Sequence, residues 1–171
     1  MVKLEWVNAT YIRNMSIEKL TDITRPFLVD VYPQYKILEQ TAEGKEKISK
    51  IMKALQERLK LVNEVADLSA FFFSDIFPYN QEAVAKHLKN ADTKAILTNL
   101  KAALEKVEPF TKENIETAFR ALATEMGIKA GQVIHPARVA LTGRSDSPPM
   151  FDTVEIIGKE QSIKRICKIL S

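Results

Sequence analysis

Ile48-Ser49-Lys50-Ile51-Met52-Lys53-Ala54-Leu55-Gln56-Glu57-Arg58-Leu59-Lys60-Leu61-Val62 is the stretch that decides the fold class of this chain. Its apolar residues Ile48, Ile51, Met52, Leu55, Leu59 and Val62 recur at three- and four-residue spacing, which puts them on one face of an α-helix. Lys45, Glu46, Lys47, Lys50, Lys53 and Glu57 fill the opposite face with the alternating charge of a solvated surface. The pattern predicts a helix over 42–61. A further turn or two runs through Val65, Leu68 and Phe71–Phe73. Three consecutive phenylalanines on a helix point in three directions, so they read as packing between helices rather than as a stacking platform.

The same grammar extends in both directions. Ser16 reads as an N-cap with Glu18 in the first turn, followed by Ile17, Leu20, Ile23 and Phe27. Pro26 is expected to distort or end that helix. Ser74–Asn80, with Pro78, reads as a linker, and Asn80 as the cap of a helix 81–88. Asp92 is expected to cap a helix carrying Ile96, Leu97, Leu100, Leu104 and Val107. Thr111 is expected to cap Lys112–Met126, with Gly127 ending it in the left-handed conformation. Two short helices are predicted over 129–135 and 136–141, then a polar loop 142–149, then closing helices over 150–157 and 160–170. The chain therefore reads as all-α, multihelical, with a first subdomain over 1–74 and a second over 75–171.

Composition supports this and excludes much else. Five glycines in 171 residues is less than half the usual ~7%, too few for a glycine-rich sheet or phosphate loop. No GxGxxG, GxxxxGK[ST] or HExxH pattern occurs. No apolar run approaches the roughly 18 residues of a membrane span, and the N-terminus lacks a signal-peptide core. Those observations predict a soluble, cytoplasmic protein. The single cysteine, Cys167, excludes a disulfide framework and is expected to be a small core residue. His87, on a polar stretch, reads as solvated, and His135 as a partner of nearby backbone. No catalytic or metal-binding constellation is visible.

Charge gives one direction. Residues 1–126 carry 18 basic and 18 acidic side chains, and residues 127–171 carry 7 and 4, which is the whole net +3. The basic segment contains 135–151, with Arg138, Arg144 and several hydroxyls. Arginine suits base edges and phosphates, and loop hydroxyls suit phosphate. Two readings follow from these residues: a nucleic-acid contact, or a surface loop of a helical protein–protein interaction or scaffold domain.

His135-Pro136-Ala137-Arg138-Val139-Ala140-Leu141-Thr142-Gly143, then Ser147-Pro148-Pro149-Met150-Phe151, then Ile157-Gly158-Lys159-Glu160 resemble the C-terminal signature of bacterial glutamyl-tRNA synthetases. Lys3-Leu4-Glu5-Trp6-Val7-Asn8 with Tyr11-Ile12-Arg13, and Lys129-Ala130-Gly131-Gln132-Val133, resemble further stretches of that family in the same order. The resemblance implies the all-α anticodon-binding region of a class I synthetase, of the helical cage type, without the catalytic half that carries HIGH and KMSKS. It implies a fragment that is not catalytic alone. ATP and magnesium would serve the full-length enzyme, with no cofactor in this part. The implied partners are the tRNA for glutamate and the catalytic half, with no DNA or membrane, in a monomer.

By resemblance, Arg138 corresponds to a base-contacting arginine. Ser147, Pro148 and Met150 fall where the family cradles another anticodon base, with Ser for the commoner Thr, Met for Leu, and Pro149 for a usual Gly. Anchoring the aromatic run on Phe71–Phe73 places Arg58 at the position associated with choosing the glutamate over the glutamine anticodon. A one-turn shift would put Lys60 or Gln56 there. Arg144, Lys159, Lys164 and Arg165 are expected to position the RNA backbone.

Overall fold

The computed structural model describes residues 2–171, with side chains from Trp6 onward, so Lys3, Leu4 and Glu5 of the N-terminal motif lie outside the described side chains. All regular structure among the described residues is helical. The chain divides into two units, Met1–Ile76 and Phe77–Ser171. The division falls two residues after the expected boundary at Ser74, because Phe77 stacks on Tyr79 with ring centroids 5.4 Å apart and so belongs to the second unit.

The first unit holds α1 (Val2–Arg13), α2 (Ile17–Val29), α3 (Pro33–Leu38), α4 (Ala42–Gln56), α5 (Val65–Leu68) and α6 (Ala70–Phe73). Ser16 caps α2 as expected, its hydroxyl accepting from the Lys19 N–H. Pro26 does not end α2, which continues to Val29. Leu20, Thr24 and Leu28 on its inner face are fully buried, and that packing outweighs one missing backbone bond. The α4 stripe Ile48, Ile51, Met52 and Leu55 is buried as the spacing predicts. The helix stops earlier than expected, at Gln56. The Arg58 and Leu59 N–H groups both return to the Leu55 carbonyl, and the Glu64 carboxylate accepts from the Lys60 and Leu61 N–H groups at 2.9 and 3.0 Å. Those bonds draw the chain into a turn. Phe71, Phe72 and Phe73 are all buried, with Phe73 between Tyr32 and Tyr35.

The second unit holds α7 (Gln81–His87), α8 (Thr93–Glu105), α9 (Lys112–Glu125), α10 (Ala130–Thr142), α11 (Met150–Ile157) and α12 (Lys159–Leu170). Its centre is α10, which packs against α7, α8, α9 and α12. Asn80 caps α7 through its side-chain oxygen, at 2.8 Å from the Ala83 nitrogen. Asp92 and Thr111 precede α8 and α9 but make no side-chain cap. The Lys112 N–H instead donates to the Glu155 carboxylate of α11 at 2.9 Å, and the Lys112 ammonium meets Asp152 at 2.9 Å. Tertiary contact thus replaces the local cap at the positive end of α9.

The two short helices expected around Pro136 are one continuous helix. Val133, Pro136, Ala137, Val139, Ala140 and Leu141 of α10 are buried, so packing on several sides holds it through the proline. Cys167 is another correction: it is exposed. The inward face of α12 is made by Ser162, Arg165 and Ile166, and Cys167 lies one step of about 100° beyond it.

Candidate nucleic-acid interface

Arg138 lies on the last two turns of α10, half-buried, directly under the loop that follows. Its Nη1 donates to the Ser147 carbonyl at 3.1 Å, to the Ser147 hydroxyl, and to the Pro148 carbonyl at 2.9 Å. The Thr142 hydroxyl donates back to the Arg138 carbonyl at 2.7 Å and accepts from the Arg144 N–H at 3.3 Å. On the far side, the Thr153 hydroxyl donates to the Pro149 carbonyl at 2.9 Å. Residues 142–150 are therefore held at both ends and in the middle by side chains of α10 and α11.

A second buttress comes from the segment before α7. Gly143 ends α10 in the left-handed conformation at φ 73°. A Cβ there would sit 2.6 Å from the Pro78 carbonyl oxygen, so both backbone and space demand glycine. The Gly143 carbonyl accepts from the Asn80 N–H at 2.8 Å, and the Tyr79 hydroxyl donates to the Ala140 carbonyl at 2.8 Å. Burial pushes the Tyr79 hydroxyl above its ordinary pKa, with Arg165 opposing the shift, so it stays a donor. In the sequence, Phe77–Asn80 is part of the linker expected over Ser74–Asn80. Asn80's capping signal located α7, but nothing local signals a bond to a residue 63 positions away.

The expected site residues separate into groups. Arg138, Ser147 and Pro148 are in direct contact, and Met150 opens α11 beside them. Ser147 and Met150 are buried, at 2% and 4% exposed, and Pro148 is buried with them. The solvent side of the loop is Ser145, Asp146 and Pro149, with Arg144 half-buried. Lys159 lies at the start of α12, 3.3 Å from Glu108, and Lys164 is exposed on the same helix.

Arg165 does not fit the expected role of holding an RNA backbone. It is 6% exposed, donates from Nη1 to the Leu141 carbonyl at 2.8 Å, and lies 4.8 Å over the Phe77 ring. Its charge is spent inside the second unit, fixing the end of α10 against Phe77. In the first unit, Arg58 is exposed in the turn after α4. Of the two alternatives for that position, Lys60 is exposed, whereas Gln56 donates to the Ile12 and Met15 carbonyls at 2.9 and 2.8 Å and serves to close α1.

Residues 19–170 match the family model described as anticodon binding domain. The chain belongs to the anticodon-binding domain family. It is 36% identical over 168 residues to glutamate–tRNA ligase 2 of Thermoanaerobacter pseudethanolicus, covering 98% of this chain and 34% of that protein. It is 34% identical over 169 residues to glutamate–tRNA ligase of Bacillus subtilis, covering 99% and 34%. A crystal structure of a glutamate tRNA ligase from Elizabethkingia meningosepticum, in complex with its amino acid, superposes with a TM-score of 0.82 at 27% identity, covering 97% of this chain and 31% of that one. The anticodon-binding chain thus spans about a third of the length of the curated relatives it matches. The resemblance read from residues 3–170 and the all-α fold both stand.

The anticodon-binding chain contains no group of three or more His, Cys, Asp or Glu able to hold a metal among its described residues. No described helix is long and apolar enough to cross a membrane.

Proposed function

We propose that this chain is the tRNA-binding, anticodon-reading part of a glutamate–tRNA ligase, and that the Arg138-anchored loop is its reading element. The observation that carries the reading is the arginine itself, placed by α10 against a loop that it holds through Ser147 and Pro148. A preorganised loop loses little freedom on binding. Splayed anticodon bases are read by hydrogen bonds to their edges and by apolar contact with their faces. Arg138 supplies multidentate donors. Ser147, Pro148 and Met150, buried beneath the loop, shape the cradle from within, and the base meets the loop's solvent side at Arg144–Asp146 and Pro149. Arg58 is the proposed discriminator in the first unit, being exposed and cationic. Lys159 and Lys164, with Arg144, position phosphates without reading sequence.

ATP and magnesium belong, in this reading, to the catalytic half of the ligase, whose adenylate chemistry no residue of this chain performs. The remaining partners are the tRNA for glutamate and that catalytic half, in a cytoplasmic monomer that takes neither DNA nor membrane. Fluorescence anisotropy with glutamate tRNA at low salt tests the reading. Binding that weakens steeply with added salt supports it. No binding at low salt, or equal binding of an unrelated duplex, refutes it in favour of a scaffold domain.

A further inference from the structure

A cleft of about 460 Å³ opens beside α10, within the roughly 300–1,000 Å³ range of small-ligand sites. One wall is a pair of imidazoles. His87, at the end of α7, and His135, on α10, stack with centroids 5.2 Å apart and planes within 22°. The pair is fixed from behind, where the Thr93 hydroxyl donates to the His87 carbonyl at 3.1 Å. Ile96, Met126 and Ile128 give the cleft an apolar side, and Asn90 and Gln132 add amides. Gly131 keeps the surface low under His135, whose ring lies 3.6 Å from the place of a Cβ. Burial, and then the neighbouring His135, hold His87 below the ordinary histidine pKa, so at neutral pH it offers a flat uncharged face.

Gly131, His135, Arg138 and Thr142 follow one another at four-, three- and four-residue steps, a single stripe along α10. His135 therefore lies about 4.5 Å of helix rise from Arg138. Neighbouring nucleotides of a strand are about 3.4 Å apart when stacked, and farther when splayed. That step places the His135 cleft one nucleotide spacing from the Arg138 loop, while Thr142 is buried and only holds the loop.

We propose that the cleft walled by His87 and His135 takes an unpaired nucleobase flanking the anticodon, stacked on the imidazole pair. This rests on the anticodon reading above, but it concerns a different base. Imidazole is among the aromatic faces on which RNA bases stack, and the amides of Asn90 and Gln132 can meet a base edge. A metal ion is the poorer occupant, because Asp92 is the cleft's one carboxylate and no three-ligand group exists among the described residues.

The test uses the whole chain and an anticodon stem–loop RNA. A fluorescent purine analogue replaces, in turn, each of the two nucleotides flanking the anticodon. Quenching on binding is expected at one of them. His135→Ala should abolish that quenching and weaken binding about 5- to 150-fold, as loss of one base stack does. His135→Phe, which keeps a flat face, should restore both. His135 is exposed, so these variants should keep the wild-type thermal midpoint. Arg138→Ala should reduce anticodon selectivity while leaving the quenching. The inference is overturned, with the Arg138 reading intact, if anticodon-selective binding persists and His135→Ala changes neither quenching nor affinity. If the stem–loop does not bind the wild-type chain, both fall together.

Discussion

Arg138 and Pro148, ten residues apart, are joined by a hydrogen bond of 2.9 Å from the guanidinium Nη1 to the backbone carbonyl. The bond ties the helix that carries the proposed base reader to the loop that shapes the cradle. Arg138 thus has a structural task and a recognition task, and the two can be separated. Arg138→Ala removes the guanidinium donor from the Ser147 and Pro148 carbonyls, of which Pro148 keeps the Ser147 and Thr153 hydroxyls, and should cost about 1–3 kcal/mol in urea unfolding. Arg138→Lys should restore part of that stability through one ammonium contact. It should not restore base selectivity, because a point charge lacks the planar fork. Equal rescue of both properties would show that Arg138 acts by charge alone.

Gly143→Ala should destabilise the second unit by about 1–3 kcal/mol. The substitution places a Cβ at φ 73° and 2.6 Å from the Pro78 carbonyl oxygen. Gly127→Ala, at φ 66° with nothing within 4 Å, meets only the conformational cost and should be milder. Denaturant midpoints compare them directly, and equal losses would mean that the Pro78 approach is irrelevant.

Much of this was legible in the sequence, and the exceptions share a cause. The α4 and α8 stripes, the Ser16 and Asn80 caps and Gly127 are local signals, and they fell where periodicity and capping chemistry put them. Errors came where tertiary packing overrode a local rule. Pro136 reads as a helix boundary, yet buried neighbours carry α10 through it. Thr111 reads as a cap, yet its side chain caps nothing and Glu155 of α11 accepts the first amide of α9 instead. Cys167 reads as core because it sits among isoleucines, one position off the inward stripe. For the site, Arg138 and the 147–150 loop came from a resemblance, whereas their connection did not. Arg165 reads as a surface cation in the sequence, but Phe77 and the Leu141 carbonyl surround it in the fold. The His87–His135 pair joins positions 48 apart in the chain, and no spacing rule links them.

Arg165 and Lys164 are adjacent cations with opposite expected phenotypes. Arg165→Gln should lower stability by about 1–3 kcal/mol, since the buried Leu141 carbonyl loses its donor. It should leave the salt dependence of tRNA binding unchanged. Lys164→Ala should keep the thermal midpoint, weaken different tRNAs alike and reduce the salt slope by about 1. Paired melting curves and salt titrations check both. A reduced slope for Arg165→Gln would contradict its interior role.

Acid should weaken the second unit through His87. Its folded pKa lies below the ordinary 6.5, first from burial, then from His135 and Lys86, and Asp92 also lines the cleft. The unfolded chain therefore binds the proton more readily. Above 6.5 both states are neutral and His87 has no effect. As pH falls through 6.5 toward the lower folded value, stability declines. His87→Asn should flatten that part of the profile. Urea midpoints between pH 7.5 and 5.5 that decline equally in both proteins would contradict the assignment.

The most direct test of the central claim is the ratio of dissociation constants for glutamate tRNA and the same tRNA with its anticodon exchanged, measured at fixed salt for the wild-type chain and Arg138→Ala. The wild-type chain should prefer the cognate anticodon. Arg138→Ala should forfeit about 1–3 kcal/mol of that preference, roughly 5- to 150-fold in the ratio. Equal binding of both tRNAs by the wild-type chain, or a ratio unchanged by Arg138→Ala, would contradict the account.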